Sequence, residues 1–261
     1  MRVFVVDAFT DVAFRGNPAG VVLLDATVDD AWMQQVAAEL RHSETAFVAR
    51  RDDGAHDLRW FTPAVEVSLC GHATLATTHV LVTTGHAGPF VFHTLSGALR
   101  TERDEDGLIS MDFPAQPTHP VEEPAGLLGA LGVPAKEISG NGIDVLVEVA
   151  DAATVRNLAP DIAALREVDC RGVIVTAGAD ADADHDFVSR FFAPRVGVDE
   201  DPVTGSAHCA LGPYWTARLG QRSLAGVQLS PRGGRVGVDV RGDRALLRGR
   251  ATTVLAGTLD A

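Results

Sequence analysis

Two short stretches of the chain concentrate residue types that could carry chemistry. Residues 200–211 read EDPVTGSAHCAL, which holds two carboxylates, a serine, a histidine and a cysteine. Such a set could build a Ser–His hydrolase site, a metal site or an anion-binding turn. Residues 69–81 read LCGHATLATTHVL and share the pattern of small residues followed by an apolar run. Both stretches predict a helix whose first turn is formed by small residues.

The start of the upstream helix is a candidate anion site. Glycine and alanine let a ligand approach the backbone, and the N–H groups of a first helical turn attract negative charge. Gly71 would contribute such a group, while His72 could donate a hydrogen bond or shuttle a proton. The alternative is a helix of small residues packed inside a sheet, with His72 as a buried histidine whose hydrogen bonds are satisfied.

The start of the downstream helix offers a second candidate of the same kind. Thr204 or Ser206 could cap the helix, and the N–H groups near Gly205 and Ser206 could bind an anion. Asp201, fixed beside a proline, could orient a substrate amine or a histidine. An ordinary capped helix is the alternative. The anion hypothesis is strengthened because the same pattern occurs in both halves of the chain.

Two further residues stand at junctions between elements. Glu44 lies in RHSETAF, residues 41–47, where a helix ends and a strand begins, so it could be a partly buried acid/base. A solvated turn glutamate is the alternative, and these residues alone favour it. Asn141 lies in SGNG before an apolar strand, where it could bind a ligand or adopt a left-handed turn conformation. The local sequence does not choose between these two roles.

Several sharper motifs are missing from the sequence. The stretch GSAHC lacks the second glycine of a nucleophile elbow, and no dinucleotide fingerprint or phosphate-binding loop occurs. His72, His79 and His86 recur every seven residues, but no carboxylate or cysteine joins them at tight spacing, so we predict no metal site. Lys136 is the only lysine, which argues against pyridoxal-phosphate chemistry.

The amino-acid composition limits the classes of molecule that the protein can bind. The 22 basic residues stand against 35 acidic ones, giving a net charge of −13, which argues against nucleic acid or an anionic membrane. An anionic substrate would therefore need local positive potential. No apolar run reaches transmembrane length, the first residues do not form a signal peptide, and three scattered cysteines form no disulfide framework. We expect a reduced, cytoplasmic protein.

The order of predicted elements indicates two α+β domains. Helices are predicted over residues 29–40, 71–85 and 204–220, and most other segments have the pattern of strands. Four prolines in residues 114–125 mark a linker. We therefore predict an N-terminal domain of residues 1–117, to which the final strand could be added, and a C-terminal domain of residues 118–261.

The motifs taken together resemble the PhzF-like family of phenazine-biosynthesis-type isomerases. The stretches that carry the resemblance are VDAFTDVAFRGNPAGVVLL, HSETAFV, RWFTPAVEVSLCGHATLA, SGALRTER and GVDEDPVTGSAHCALGPYW. The resemblance implies a diaminopimelate epimerase-like fold. This fold has two pseudo-symmetric domains, each with a mixed, mostly antiparallel sheet wrapped around a central helix, and an active site in the cleft between them. It also implies a homodimer that needs no cofactor and no metal.

The resemblance also assigns roles to individual residues. Glu44 corresponds to the general acid/base, and His72 and Asp201 are expected to handle protons or substrate. Ser206 is expected to bind substrate, and the N–H groups of Gly71 and of Gly205–Ser206 are expected to bind its carboxylate. Asn141 is added as a substrate-binding candidate from its place in the Gly-rich turn. Related epimerases and proline racemases use two facing cysteines. Cys70 resembles the first of these, whereas the second position falls within DPVTG, which has no thiol.

We therefore expect an isomerase that moves a proton on a carbon atom of a small carboxylate-bearing metabolite. Glu44 would serve as the single acid/base. A non-catalytic protein that binds small molecules or confers resistance on the same fold is one alternative. A hydrolase that uses Ser206 or Cys70 is another.

Overall fold

The computed structural model describes residues 1–260, which divide into two compact units. The N-terminal unit comprises Met1–Phe113 and residues 248–260, and the C-terminal unit comprises Pro114–Leu247. The division therefore falls between Phe113 and Pro114 rather than after residue 117. The residues that follow Leu247 group with the N-terminal unit and not with the second domain.

The secondary structure consists of eighteen strands and six α-helices in the described residues. The strands are β1 (Arg2–Ala8), β2 (Asn17–Leu24), β3 (Thr45–Arg50), β4 (His56–Phe61), β5 (Glu66–Val67), β6 (Phe90–Thr94), β7 (Gly97–Arg103), β8 (Ile109–Pro114), β9 (His119–Pro120), β10 (Glu137–Gly140), β11 (Asp144–Glu148), β12 (Gly172–Gly178), β13 (Phe187–Ala193), β14 (Val198–Asp201), β15 (Ser223–Gln228), β16 (Gly234–Arg241), β17 (Arg244–Gly249) and β18 (Ala251–Thr258). The helices are α1 (Asp30–Leu40), α2 (Gly71–Thr83), α3 (Leu127–Leu131), α4 (Ala152–Asn157), α5 (Ile162–Glu167) and α6 (Gly205–Leu219).

The N-terminal unit is a mixed sheet wrapped around one helix. Its strands follow the order β18–β1–β2–β3–β4–β6–β7–β8. The β2–β3 and β4–β6 pairs are parallel and the others are antiparallel. Helix α2 contacts β1, β2, β3, β7 and β18, so strands surround it.

Helix α2 can be central because its side chains are small or apolar on every face. Its threonines would be costly inside a core without hydrogen bonds. The hydroxyl groups of Thr74, Thr77 and Thr78 instead donate to carbonyl groups one turn earlier in the helix. The helix thereby satisfies these three hydroxyl groups from its own backbone.

The predicted helix over residues 29–40 is confirmed as α1. The carboxylate of Asp29 caps its start by accepting a hydrogen bond from the backbone N–H of Trp32 at 2.7 Å. Arg41 adopts a left-handed conformation at the end of the helix, which turns the chain towards β3. Met33 and Val36 bury one face of α1 in a cluster with Phe47 of β3.

The C-terminal unit repeats the same order of pairings. Its strands follow the order β9–β10–β11–β12–β13–β15–β16, with β11–β12 and β13–β15 parallel. The short strand β14 flanks β13, as β5 flanks β4 in the first unit. Helix α6 packs on β15 and β16. The predicted α+β class with two pseudo-symmetric sheets, each around a central helix, is confirmed.

One predicted helix boundary was wrong in detail. Helix α2 ends at Thr83 rather than at residue 85. Within the described residues, every helix is too short or too polar to cross a membrane.

The loop between β1 and β2 depends on a glycine. Gly16 has a φ of 64°, and a Cβ atom there would lie 2.1 Å from the carbonyl oxygen of Ala8. Gly54 also has a positive φ, 85°, but a Cβ atom there would meet no atom within 4 Å. A side chain would therefore strain the backbone at both glycines, but it would collide with other atoms only at Gly16.

We predict that Gly16→Ala lowers the free energy of unfolding much more than Gly54→Ala. The left-handed backbone alone should cost about 1 kcal/mol in Gly54→Ala. The added collision with backbone should bring Gly16→Ala to about 3 kcal/mol or more. Urea denaturation followed by circular dichroism measures both, and equal losses would contradict the role assigned to the Gly16 turn.

Candidate active site

Glu44 is held on a rigid part of the N-terminal unit. It precedes β3, and its carbonyl oxygen accepts a hydrogen bond from the backbone N–H of Gly20 in β2 at 3.2 Å. The parallel β2–β3 ladder begins at the next residue, where Gly20 pairs with Thr45. The side chain keeps 20% of its surface exposed. Glu44 therefore presents a reachable carboxylate from a fixed backbone.

His72 lies beside this carboxylate, in the first turn of α2. Its Nε2 is 3.3 Å from Oε2 of Glu44. Its Nδ1 is 3.3 Å from Nδ2 of Asn17 and 3.5 Å from Sγ of Cys70. The histidine side chain is only 7% exposed. Among the described residues, no hydrogen-bond partner of suitable geometry was found for Nε2 of His72. This buried nitrogen faces Glu44 and could still form a hydrogen bond.

Burial keeps the imidazole of His72 neutral. Desolvation lowers its pKa to about 3, and the nearby His42 acts in the same direction. The 3.3 Å contact with Glu44 therefore joins a carboxylate to a neutral ring and is not an ion pair. A neutral imidazole has one N–H group and one acceptor nitrogen, so it can donate to Glu44 or accept from it.

The cluster of Glu44, Cys70 and His72 offers three types of metal ligand within 4.8 Å of one another. Its shortest contacts, however, use different nitrogens of the imidazole ring, since Nδ1 faces the sulfur and Nε2 faces the carboxylate. A metal ion takes only one nitrogen of a given ring in a compact site. The shortest contacts of the ring are therefore divided between its two nitrogens, and the absence of a metal stays a prediction.

Gly71 begins α2 directly beside these side chains. Cys70 is the N-cap residue, and its side chain makes no capping hydrogen bond. The first backbone N–H groups of a helix have no partner within the helix. The turn at Gly71 therefore has the local positive potential that the sequence predicts there.

The start of α6 in the C-terminal unit is braced by a buried glutamine. The backbone N–H of Thr204 donates to Oε1 of Gln228 at 2.9 Å, and Nε2 of Gln228 donates to the carbonyl oxygen of Asp201 at 2.7 Å. The hydroxyl of Thr204 donates to the carboxylate of Asp201. Thr204 is the N-cap residue, but neither it nor Ser206 caps the helix with a side-chain hydrogen bond, so that expectation was wrong.

Ser206 follows Gly205 in the first turn of α6. Its hydroxyl oxygen accepts a hydrogen bond from Nη2 of Arg171 at 3.2 Å. The guanidinium of Arg171 also forms a two-point ion pair with the buried carboxylate of Asp144. An arginine remains charged and cannot accept a proton as a general base. The surroundings of Ser206 therefore favour a binding role over that of a hydrolytic nucleophile.

The histidine and cysteine of EDPVTGSAHCAL are packing residues. His208 is completely buried, its Nδ1 lies 2.8 Å from the carbonyl oxygen of Thr204, and burial lowers its pKa to about 4. Burial raises the pKa of the Cys209 thiol to about 12. Both groups stay uncharged at neutral pH, so neither provides a thiolate or an imidazolium.

Asn141 shapes the turn that leads into β11. Its Oδ1 accepts hydrogen bonds from the backbone N–H groups of Ile143, at 3.0 Å, and Asp144, at 2.8 Å. The left-handed conformation expected as one alternative for Asn141 is taken by the next residue, Gly142, with a φ of 81°. The Asn141 oxygen is used by the turn, and the substrate-binding role of this residue stays a prediction.

The structure gathers the predicted residues into one cluster in each unit. Glu44, Gly71 and His72 meet in the N-terminal unit, while Asp201, Gly205 and Ser206 meet at the start of α6. Sequence reasoning missed the side chains that hold these residues: Asn17, Arg171 and Gln228. Asn17 lies in one of the stretches that carry the resemblance but was given no role there, and the other two carry no local motif.

The comparisons with known proteins identify the family. A family profile described as "Phenazine biosynthesis-like protein" matches residues 6–257. An uncharacterised isomerase of Pseudomonas aeruginosa is 51% identical over 261 residues, covering 99% of this chain and 98% of the relative. An uncharacterised isomerase of Halalkalibacterium halodurans is 44% identical, covering 98% and 97%.

Solved structures show the same similarity. A crystal structure of a PhzF-family phenazine biosynthesis protein from Enterococcus faecalis has a TM-score of 0.93 at 40% identity, covering 98% of this chain and 97% of that one. A probable proline racemase from Agrobacterium radiobacter has a TM-score of 0.64 at 14% identity, covering 99% and 92%. The second similarity concerns the fold alone.

The buried histidines make stability depend on pH. The folded-state pKa of His208 is about 4, below the ordinary value of 6.5, so between these values the unfolded chain binds a proton that the folded protein does not. The free energy of unfolding should therefore fall as the pH drops below about 6.5. Each such histidine contributes a slope of up to about 1.4 kcal/mol per pH unit.

We predict that His208→Asn flattens this acid slope, because asparagine removes the titrating group and can still donate to the carbonyl of Thr204. Urea denaturation of the wild type and the variant at several pH values between about 7 and about 4.5 measures the slope. His119→Asn, which changes an exposed histidine, is the matched control. An unchanged slope in His208→Asn would refute the low pKa.

Proposed function

The chain belongs to the family of phenazine biosynthesis-like proteins, and on that premise we propose a cofactor-independent isomerase that moves a proton on carbon of a small carboxylate-bearing metabolite. The relatives at 51% and 44% identity are named isomerases. The observation that carries the proposal is the partly exposed carboxylate of Glu44 at 3.3 Å from the buried imidazole of His72.

Glu44 has the properties that a general base for a C–H proton requires. Such a base must reach the substrate and be held in place while the proton moves. The exposed fraction of the Glu44 side chain allows that contact, and the β2–β3 ladder holds its backbone. The carboxylate takes the proton from one carbon atom, leaving an electron pair that is delocalised towards the substrate carboxylate.

The neutral state of His72 supports reversible proton transfer by Glu44. A permanent cation beside the carboxylate would form an ion pair that proton uptake would have to break. A neutral ring 3.3 Å away forms no ion pair, and its Nε2 is not aligned in a hydrogen bond, so no strong contact with His72 is lost when Glu44 takes up a proton. Glu44 can therefore take a proton from one carbon and return it to another without the loss of a salt bridge.

The helix starts provide the positive potential that an acidic protein otherwise lacks. With a net charge of −13, the chain attracts no anion through its overall field. We assign the N–H group of Gly71 to the substrate carboxylate, because α2 begins without a side-chain cap, and the resemblance gives the N–H groups of Gly205–Ser206 as the second candidate. Asp201 is assigned to a polar group of the substrate, such as an amine.

A single acid/base favours a shift along the substrate over inversion at one carbon. Inversion needs an acid and a base on opposite faces of the carbon atom. The second catalytic thiol of the related racemases has no counterpart in DPVTG. Glu44 acting alone would remove and return the proton on one face, which describes a double-bond shift or a tautomerisation. The homodimer implied by the resemblance remains part of the proposal, and light scattering would test it.

We predict that Glu44→Gln abolishes the exchange of carbon-bound hydrogen for deuterium. The wild type, incubated in deuterated water with a panel of small unsaturated and amino-acid-derived carboxylates, should introduce deuterium at carbon. The glutamine amide in the variant is too weak a base to accept the proton, so the rate should fall by about 10²-fold or more. Mass spectrometry and NMR of the recovered compounds measure the label.

Glu39→Gln is the matched control, because Glu39 is an exposed glutamate on the neighbouring helix α1. It should keep the full exchange rate. Full exchange in Glu44→Gln would overturn the assignment of the base. Tight ligand binding that survives in Glu44→Gln, with no exchange in either protein, would identify a non-catalytic binding protein.

We also predict that Cys70→Ser keeps the exchange rate within about ten-fold of the wild type. Serine retains a hydroxyl donor near Nδ1 of His72 and is a favourable N-cap residue. A mechanism with a catalytic thiol would lose nearly all activity in this variant, because a serine hydroxyl is a far weaker base. Cys170→Ser, outside both clusters, controls for general effects of losing a thiol.

A further inference from the structure

Two hydrogen-bond donors surround one nitrogen of the His72 ring. Nδ2 of Asn17 lies 3.3 Å from Nδ1, and Sγ of Cys70 lies 3.5 Å from the same atom. An amide N–H₂ group donates only, and a thiol is a weak donor. Nδ1 thus faces two groups that can each donate a hydrogen bond to it. Such an environment favours an Nδ1 that carries no proton and acts as an acceptor.

We propose that Asn17 is a positioning residue that fixes His72 as the tautomer with its proton on Nε2. The proposal deepens the proposed function, since it matters for catalysis only if Glu44 is the base. A neutral imidazole carries one proton, so an accepting Nδ1 places that proton on Nε2. Nε2 is the atom that lies 3.3 Å from Oε2 of Glu44.

The backbone around Asn17 gives its amide little freedom. Asn17 is completely buried and starts β2, where it pairs with Ala8 of β1. The loop between the two strands is fastened by the buried carboxylate of Asp7, which accepts a hydrogen bond from the backbone N–H of Phe14 at 2.6 Å. The crowded turn at Gly16 immediately precedes Asn17.

The tautomer decides in which state Glu44 begins the reaction. An Nε2–H group presents its positive dipole to the carboxylate 3.3 Å away and therefore favours the ionised form, so Glu44 starts as a base. The opposite tautomer would present a lone pair, which stabilises the protonated acid. Besides Asn17 and Glu44, Cys70 and His42 face the His72 ring closely enough to act on its charge.

The tautomer can be read without any substrate. In protein labelled with ¹⁵N-histidine, two-dimensional NMR distinguishes a protonated ring nitrogen from an unprotonated one, and His72→Asn identifies the His72 signals by their loss. At neutral pH the wild type should show a protonated Nε2 and an unprotonated Nδ1. A protonated Nδ1 in the wild type would overturn the proposal outright, even if every Asn17 variant failed to fold.

Asn17→Asp tests the cause, because a carboxylate of the same shape accepts where the amide donates. The His72 proton should move to Nδ1, and kcat for exchange should fall by about 10²-fold with KM nearly unchanged, since Asn17 acts through His72. Asn157→Asp, an exposed asparagine on α4, is the matched control and should change neither readout.

The outcomes separate this proposal from the proposed function. Retention of the Nε2 proton and of full kcat in Asn17→Asp would refute the positioning role. A wild type with the expected tautomer but with full exchange in Glu44→Gln would refute the catalytic proposal, while the structural role of Asn17 would stand.

Discussion

The burial of α2 is the constraint on which the arrangement of the N-terminal unit depends. Strands surround this helix, so each polar group in it must be satisfied internally or by the sheet. Threonine hydroxyls bonded to the preceding turn solve the problem along the helix. At its first turn the solution involves other elements, because His72 meets Asn17 from β2 on one side and Glu44 from the start of β3 on the other.

The same burial gives the cluster its chemical character. Loss of hydration keeps the imidazole of His72 neutral, while the carboxylate beside it retains contact with solvent. A charged histidine at this distance would form a salt bridge with the carboxylate. A neutral ring leaves the charge of Glu44 uncompensated by His72.

The C-terminal unit meets the same constraint with different residues. Helix α6 also starts in a small-residue turn beside its sheet, but Gln228 braces that turn and Arg171 reaches the hydroxyl of Ser206. The histidine of this helix, His208, is turned into the core. Two units with one topology thus carry different side chains at equivalent helix starts: a carboxylate beside a neutral imidazole in one, and hydroxyl and ionic groups in the other.

The sequence by itself determined the fold class, the two central helices and the position of Glu44, because these depend on local features: apolar periodicity, small-residue turns, and the junction of α1 with β3. It did not determine which side chains contact the predicted site residues. Asn17 and His72 are 55 positions apart, and Arg171 and Ser206 are 35 apart. Only the tertiary structure decided these contacts, because strand pairing brings distant residues together and leaves no periodic signal in the chain.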